Sequence, residues 1–171
     1  HFAIFNSDGL KIKRYWKLHS KEHKDDFETT CEKVKFLLND AITRQLVSDV
    51  PLCTFLSAGL DSSIITKFAS DYCKMQGLPP LDTYSIDYVD NDKNFVKSDF
   101  QPNSDNYYIN LMTNRLHTRH HNIVIDTPEL SKYLEDAMIA RDMPGMSDID
   151  SSLLLFCKEG KAKGIRVSLS G

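Results

Sequence analysis

LCTFLSAGLDSS, at residues 52–63, joins a short apolar run to a loop of small residues. The run at residues 52–56 is typical of a strand that is buried on both faces of a parallel sheet. The residues at 57–63 are mostly serine, alanine and glycine, and helical spacing of apolar residues then resumes at Ile64 and continues to Gly77. Strand, loop and helix together predict one repeating unit of an α/β fold.

The same alternation continues in both directions along the chain. The predicted helices cover residues 25–48, 106–117, 128–141 and 151–163, and the further predicted strands cover residues 81–86, 121–125 and 165–169. A polar stretch at residues 87–105 predicts a long surface loop. This order predicts an α/β domain with a largely parallel sheet and helices on both faces, in which ligands bind at the carboxyl ends of the strands.

Residues 1–24 differ from the rest of the chain. Two strand-like runs, at residues 2–5 and 11–16, flank a turn at Asp8-Gly9, and polar residues follow at 17–24. We expect a lead-in segment of residues 1–24 and an α/β domain of residues 25–171.

Composition excludes several classes of protein. The 171 residues are 41% hydrophobic and 26% charged, which suits one packed domain. The net charge of −3 excludes a nucleic-acid binder that works by bulk electrostatics. No apolar run is long enough to cross a bilayer. The four cysteines lack C-x-x-C spacing, which predicts reduced, mostly buried thiols in a cytoplasmic protein.

The loop at residues 57–63 has the chemistry of an anion site. Small residues let the backbone approach a ligand, and the N–H groups that open the following helix favour negative charge. Ser57, Ser62 and Ser63 add hydroxyl donors. Asp61 would repel a phosphate unless Mg²⁺ lay between them. The alternative is that these polar residues only cap the helix. A Walker-type lysine is absent from the loop, which disfavours kinases and GTPases of that class.

Four segments resemble the asparagine synthetase family in order and spacing. They are VPLCTFLSAGLDSS at 50–63, DTYSI at 82–86, LHTRHHNIVI at 116–125 and VSLSG at 167–171. The resemblance implies a Rossmann-like, adenine nucleotide alpha-hydrolase-like fold. It also implies that residues 1–24 are the remnant of a preceding glutaminase domain and linker, and that residues 25–171 are an incomplete ATP-binding synthetase domain.

The resemblance implies a defined reaction. The family's synthetase domain binds ATP and Mg²⁺, adenylates the side-chain carboxylate of aspartate and releases pyrophosphate. Ammonia from glutamine then displaces AMP to give asparagine. The implied partners are these small molecules, with no nucleic acid and no membrane. The complete protein would be cytoplasmic, and a homodimer is compatible with the resemblance.

The family's site residues carry over by position. Ser57, Gly59, Asp61 and Ser62 would hold pyrophosphate, with Asp61 as the Mg²⁺ ligand and the catalytic residue. Phe55 and Ile86 would flank adenine, and Ser170 and Gly171 would lie near the nucleotide. The full set expected at the ATP site is Phe55, Leu56, Ser57, Ala58, Gly59, Leu60, Asp61, Ser62, Ser63, Ile86, Ser170 and Gly171.

Three features depart from the family pattern. Ala58 replaces a glycine, and its methyl group would crowd a phosphate or oppose a positive φ, so we expect weaker nucleotide binding than with glycine. Residues 141–152 carry an acidic run instead of a threonine-rich substrate segment. This run favours either the start of a helix or altered substrate and metal contacts. The chain also stops before the acidic residues that follow Ser-Gly in the family, so we expect no synthetase activity from this piece alone.

Two rival functions stay open. A related AMP-forming ligase, of a β-lactam-forming or peptide-amidating type, would share the loop but use another acid. A non-catalytic nucleotide-binding module is the other rival, and Ala58 favours it.

The histidines suggest a metal site only at first sight. His120 and His121 are adjacent, so in a strand they face opposite sides of the sheet and cannot chelate one ion together. His117, His120 and His121 have no cysteine or acidic residue near them at the spacing of metal ligands. We therefore expect these histidines to have structural roles.

Overall fold

The computed structural model describes residues 1–99 and 103–171. Two compact units are present, residues 1–35 and residues 36–171. Among the helices that the structure describes, none combines the length and the apolar character that crossing a membrane requires. All four cysteines are free, and Cys53 is buried as expected. Cys31 and Cys157 are exposed and Cys73 is half-buried, so the prediction that the thiols are mostly buried is wrong.

The first unit holds an antiparallel hairpin. Strands β1 (Phe2–Asn6) and β2 (Gly9–Lys13) pair in a register that sets Asn6 opposite Gly9. The turn depends on Gly9, whose φ is +102°, and on a hydrogen bond from the Asp8 N–H to Asn6 Oδ1 of 3.0 Å. The hairpin prediction is confirmed, but β2 ends at Lys13 and does not continue to Trp16.

Helix α1 (Phe27–Arg44) begins in the first unit and ends in the second. Its first turn is capped by Asp26, whose carboxylate accepts a hydrogen bond of 2.7 Å from the Thr29 N–H. Hydrogen bonding by that N–H lowers the pKa of Asp26, since the bond favours the ionised carboxylate.

The second unit is a parallel sheet with helices on both faces. Strands β3 (Leu52–Phe55), β4 (Asp82–Tyr88), β5 (Arg119–Ile125) and β6 (Val167–Leu169) lie in the order β5-β4-β3-β6, with every neighbouring pair parallel. The helices are α2 (Leu60–Met75), α3 (Asn91–Asn94), α4 (Asp105–Leu116), α5 (Thr127–Lys132), α6 (Leu134–Arg141) and α7 (Ser147–Ala162). The predicted α/β fold with a parallel sheet is confirmed.

Alternation along β3 divides the core into two clusters. Cys53 and Phe55 pack with side chains of β4, β5 and α7 on one face of the sheet. Leu52 packs on the other face with side chains of α1 and α2. Because successive strand residues point to opposite faces, one short strand contributes to both clusters. The strand is therefore buried on both sides, as its apolar sequence predicts.

Several predicted boundaries are wrong. The predicted helix at 128–141 is two helices, divided at Tyr133, whose backbone has φ −99° and ψ 9°. The predicted loop at 87–105 contains α3, and β4 continues to Tyr88. Helix α7 begins at Ser147, four residues before its predicted start, so Asp150 lies in its first turn, where negative charge suits the helix dipole.

Candidate functional site

The candidate site lies where β3 ends. The Leu56 N–H donates a hydrogen bond of 2.8 Å to the Tyr84 carbonyl, so pairing with β4 continues one residue past the strand. Leu56 is 1% exposed, which fixes the point at which the chain leaves the sheet. The loop then crosses the carboxyl ends of the strands, the edge where ligands bind in open α/β sheets.

Ser62 holds the loop in shape. Its hydroxyl accepts a hydrogen bond of 3.3 Å from the Ser57 N–H and donates one of 3.1 Å to the Gly59 carbonyl. The Ser57 and Ser62 hydroxyl oxygens are also 3.2 Å apart. Ser62 is buried, whereas Ser57 is exposed and Ser63 is half-buried. Of the three predicted hydroxyl donors, Ser62 thus bonds within the loop itself.

The backbone of the loop turns sharply before α2. Ala58 has a φ of +63°, in the left-handed region that glycine adopts most readily. The structure therefore confirms that this position has a positive φ, although alanine occupies it. Gly59 follows as the N-cap, with an extended backbone and no side-chain cap. The first N–H groups of a helix have no partner within the helix, and here they lie next to the loop.

The end of β6 meets the start of α2. A side chain at Gly171 would bring its Cβ to 2.8 Å from Cβ of Asp61 and 3.3 Å from its carbonyl carbon, so only glycine fits this approach. Asp61 lies in the first turn of α2 and is exposed, as are Leu60 and Ser170. Gly171 and Asp61, which are far apart in sequence, are thus brought together.

A cavity of about 310 Å³ adjoins the loop. Four of the predicted site residues line it: Phe55, Leu56, Ser57 and Ile86. Its remaining lining comes from β4, α4 and α7: Tyr84, Ser85, Tyr88, Asp105, Ile109, Ile149, Ser152, Leu153 and Phe156. Ser57 belongs to both the loop and the cavity, so the loop at residues 57–63 opens directly into a mainly apolar chamber.

The α7 wall of the cavity was missed by sequence reasoning. Phe156 contacts Phe55 edge to face, with ring centroids 4.5 Å apart. Ser152 shares a hydrogen bond of 2.6 Å with the Tyr88 hydroxyl, which joins α7 to the end of β4. Apolar residues at 149, 153 and 156 recur at helical spacing, and this pattern was the available signal.

The histidines lie on opposite faces of the sheet, as predicted. His120 bonds to the Thr83 hydroxyl at 2.9 Å and to the Ser85 hydroxyl at 3.1 Å. Burial, assisted by the charge of His121, lowers the pKa of His120. His121 stacks on Tyr84 from the other side. Within residues 1–99 and 103–171, no cluster of three or more histidine, cysteine or acidic side chains could hold a metal ion.

Asp82 forms an ionic cluster at the amino end of β4. Its carboxylate bonds to Arg119 and, at 2.8 Å, to the His121 ring. The hydrogen bond from Arg119 lowers the pKa of Asp82 despite partial burial, and the bond from His121 acts in the same direction. This cluster lies at the amino ends of β4 and β5, whereas the loop lies at the carboxyl ends of the strands. It therefore links β4 to β5 away from the cavity.

The parallel sheet, the serine-rich loop and the cavity define an α/β domain with a candidate ligand site at the carboxyl ends of its strands. The family model for asparagine synthase matches residues 33–171, most of the chain. The chain belongs to the asparagine synthase family.

Individual relatives agree with that assignment. The chain is 53% identical over 171 residues to glutamine-hydrolysing asparagine synthetase 3 of Bacillus subtilis strain 168, covering 100% of this chain and 28% of that protein. It is 28% identical over 170 residues to a putative glutamine-hydrolysing asparagine synthetase 2 of Methanocaldococcus jannaschii, covering 98% of this chain and 30% of that protein. The chain thus spans less than a third of either relative.

A solved structure of an NAD+ synthetase from Burkholderia pseudomallei also matches. The TM-score is 0.42 at 12% identity, covering 84% of this chain and 62% of that chain.

Proposed function

We propose that residues 25–171 form the ATP-binding part of an asparagine synthetase. The observation that carries this proposal is the junction at Ser57, where the serine-rich loop meets the cavity beneath it. An anion-binding loop that opens into an apolar chamber matches the two halves of ATP, its phosphates and its base. The residues assigned are those expected from the family pattern, with Phe55 and Ile86 at the adenine.

The phosphates would be bound at the loop. The unpaired N–H groups at the start of α2 and the exposed Ser57 hydroxyl are suitable donors for phosphate oxygens. Asp61 fits Mg²⁺, because this ion binds through one or two carboxylates together with phosphate oxygens, and Asp61 is exposed on the first turn of α2. The bound ion would neutralise charge on the leaving pyrophosphate.

The reaction proposed has two substitution steps. A side-chain carboxylate oxygen of aspartate attacks the α-phosphorus of ATP, and the bond to pyrophosphate breaks. Ammonia then attacks the acyl carbon, and AMP leaves with the carbon–oxygen bond electrons. Neither step requires a covalent bond to the protein, so this chain's residues contribute by positioning and by electrostatic stabilisation.

The complete enzyme is also part of the proposal. Residues 1–24 would connect the synthetase domain to a glutaminase domain that supplies ammonia. The enzyme would act in the cytoplasm on small molecules, as a homodimer, without a nucleic-acid partner. We expect this 171-residue chain alone to form no asparagine from ATP, aspartate and ammonia, because it spans 28% of its Bacillus subtilis relative.

Exchange of labelled pyrophosphate into ATP tests the function. The complete enzyme is incubated with ATP, Mg²⁺ and one acid from a panel that includes aspartate. Exchange with aspartate supports the proposal, exchange with only another acid supports a related AMP-forming ligase, and nucleotide binding without exchange supports a non-catalytic module. The strained Ala58 is the observation that favours this last alternative.

Asp61→Asn tests the metal role within that assay. We expect a loss of exchange of about a hundredfold or more, because the substitution removes the charge that would hold Mg²⁺. Asp71→Asn is the matched control, since Asp71 is on the same helix and pairs with Lys67 at the surface. Full exchange activity in Asp61→Asn would remove Asp61 from this role.

A further inference from the structure

Asp87 joins three segments at the end of β4. Its Oδ1 accepts hydrogen bonds of 2.9 Å from the Tyr88 N–H and 2.7 Å from Asn91 Nδ2. Its Oδ2 accepts one of 2.8 Å from Asn106 Nδ2. Asn91 opens α3 and Asn106 lies in the first turn of α4, so one carboxylate connects β4 to both helices.

Two of these segments, β4 and α4, line the proposed nucleotide cavity. Asp87, Asn91 and Asn106 line a second cavity of about 220 Å³. The two cavities share Ile86, Tyr88 and Asp105, so they are separated by the residues that flank Asp87 and Asn106 in sequence. A shift of the α4 terminus relative to β4 would therefore change the width of the nucleotide cavity directly.

The carboxylate suits this position because its partners are all donors. Burial of the half-buried Asp87 carboxylate acts to raise its pKa. The hydrogen bonds from Asn106, the Tyr88 N–H and Asn91 outweigh burial, so the pKa of Asp87 is lowered. An ionised carboxylate accepts every one of these bonds. An asparagine at 87 would present an amide NH₂ to one of the asparagine NH₂ groups. The charge-assisted bond would then be lost, and only a weaker bond between neutral amides could replace it once the facing amide turned over.

We infer that Asp87 is a positioning residue that holds the α4 wall against β4 and so sets the width of the cavity for the nucleoside. This inference rests on the proposed function. It assigns Asp87 no contact with the phosphates, which the proposal places at residues 57–63. The role therefore predicts a selective effect, on ligands that contain the nucleoside and not on pyrophosphate.

Calorimetric titration of the complete enzyme with Mg·ATP and, separately, with Mg·pyrophosphate tests the inference. Asp87→Asn should weaken ATP binding about tenfold, the usual cost of one lost hydrogen bond to a charged group, and leave pyrophosphate affinity unchanged. Asn106→Ala removes the same link from the α4 side and should give the same selective loss. Asp90→Asn is the control, because Asp90 pairs with Lys93 on the exposed surface of the same segment.

The outcomes separate the inference from the proposed function. Unchanged ATP affinity in both variants would overturn the inference, and so would equal losses for ATP and pyrophosphate, which would indicate general loosening. If Asp87→Asn does not fold, Asn106→Ala decides between these results alone. A wild-type enzyme that binds neither ligand would overturn the proposed function, and the inference would fall with it.

Discussion

Ala58 is strained in the loop that the proposal assigns to phosphate. A left-handed conformation costs an alanine about 1–2 kcal/mol relative to glycine, and Ala58 adopts it with a φ of +63°. We expect Ala58→Gly to bind Mg·ATP about fivefold more tightly, because the loop N–H groups can approach the phosphates once the methyl group is gone. Isothermal titration calorimetry of the two proteins measures the difference.

A matched variant separates the relief of backbone strain from the removal of a methyl group next to the phosphates. His117 also has a left-handed backbone, with a φ of +56°. It caps the end of α4 near the amino ends of the strands, away from the loop. His117→Gly should therefore leave ATP affinity unchanged while relieving a similar strain. Equal ATP affinities for wild type and Ala58→Gly would show that the methyl group does not hinder binding.

At the scale of secondary structure, a buried hydroxyl pair joins β3 to α2 beneath the loop. Thr54 and Thr66 are 0% exposed, and their hydroxyl oxygens are 2.9 Å apart. Replacing either threonine by valine leaves the other hydroxyl buried without this partner, which costs about 1–3 kcal/mol of unfolding free energy. Replacing both removes the two polar groups together, so the double variant should be close to wild type in stability.

Denaturant titration of the two single variants and the double variant tests that pair. We expect the effects of the two substitutions on stability to be strongly coupled. Such coupling would show that β3 and α2 are held together directly beneath the loop that joins them. Losses that simply add in the double variant would contradict the prediction and assign the cost to packing alone.

The sequence predicts the elements better than their edges. Alternation of apolar strands and amphipathic helices gave the parallel sheet, because that signal is local and repeated. The break at Tyr133 and the early start of α7 depend on tertiary packing, which a single helical pattern does not contain. Phe55 and Ile86 were expected at the ATP site from the family resemblance. The α4 and α7 walls of the cavity were not predicted, because their residues reach the cavity only through the fold.

At the scale of the whole molecule, the chain divides into two units that differ in how much hydrophobic core they contain. Every residue of β1 is exposed, and so is β2 apart from the half-buried Gly9, whereas residues 36–171 contain both core clusters. Exposed strands contribute little hydrophobic free energy to folding. The unit boundary at residues 35 and 36 falls inside α1, so the proposed domain boundary before residue 25 is the one that keeps this helix whole.

Deletion of residues 1–24 tests that boundary. We expect the shortened chain to melt within about 3 °C of the full 171-residue chain, because the loss is below about 1 kcal/mol. Deletion of residues 1–35 should lower Tm further, since it removes the Asp26 cap and the first half of α1, the helix that carries Ile42 into the core. Differential scanning calorimetry compares the three chains. Equal destabilisation by both deletions would mean that the hairpin supports the α/β domain and that the boundary is misplaced.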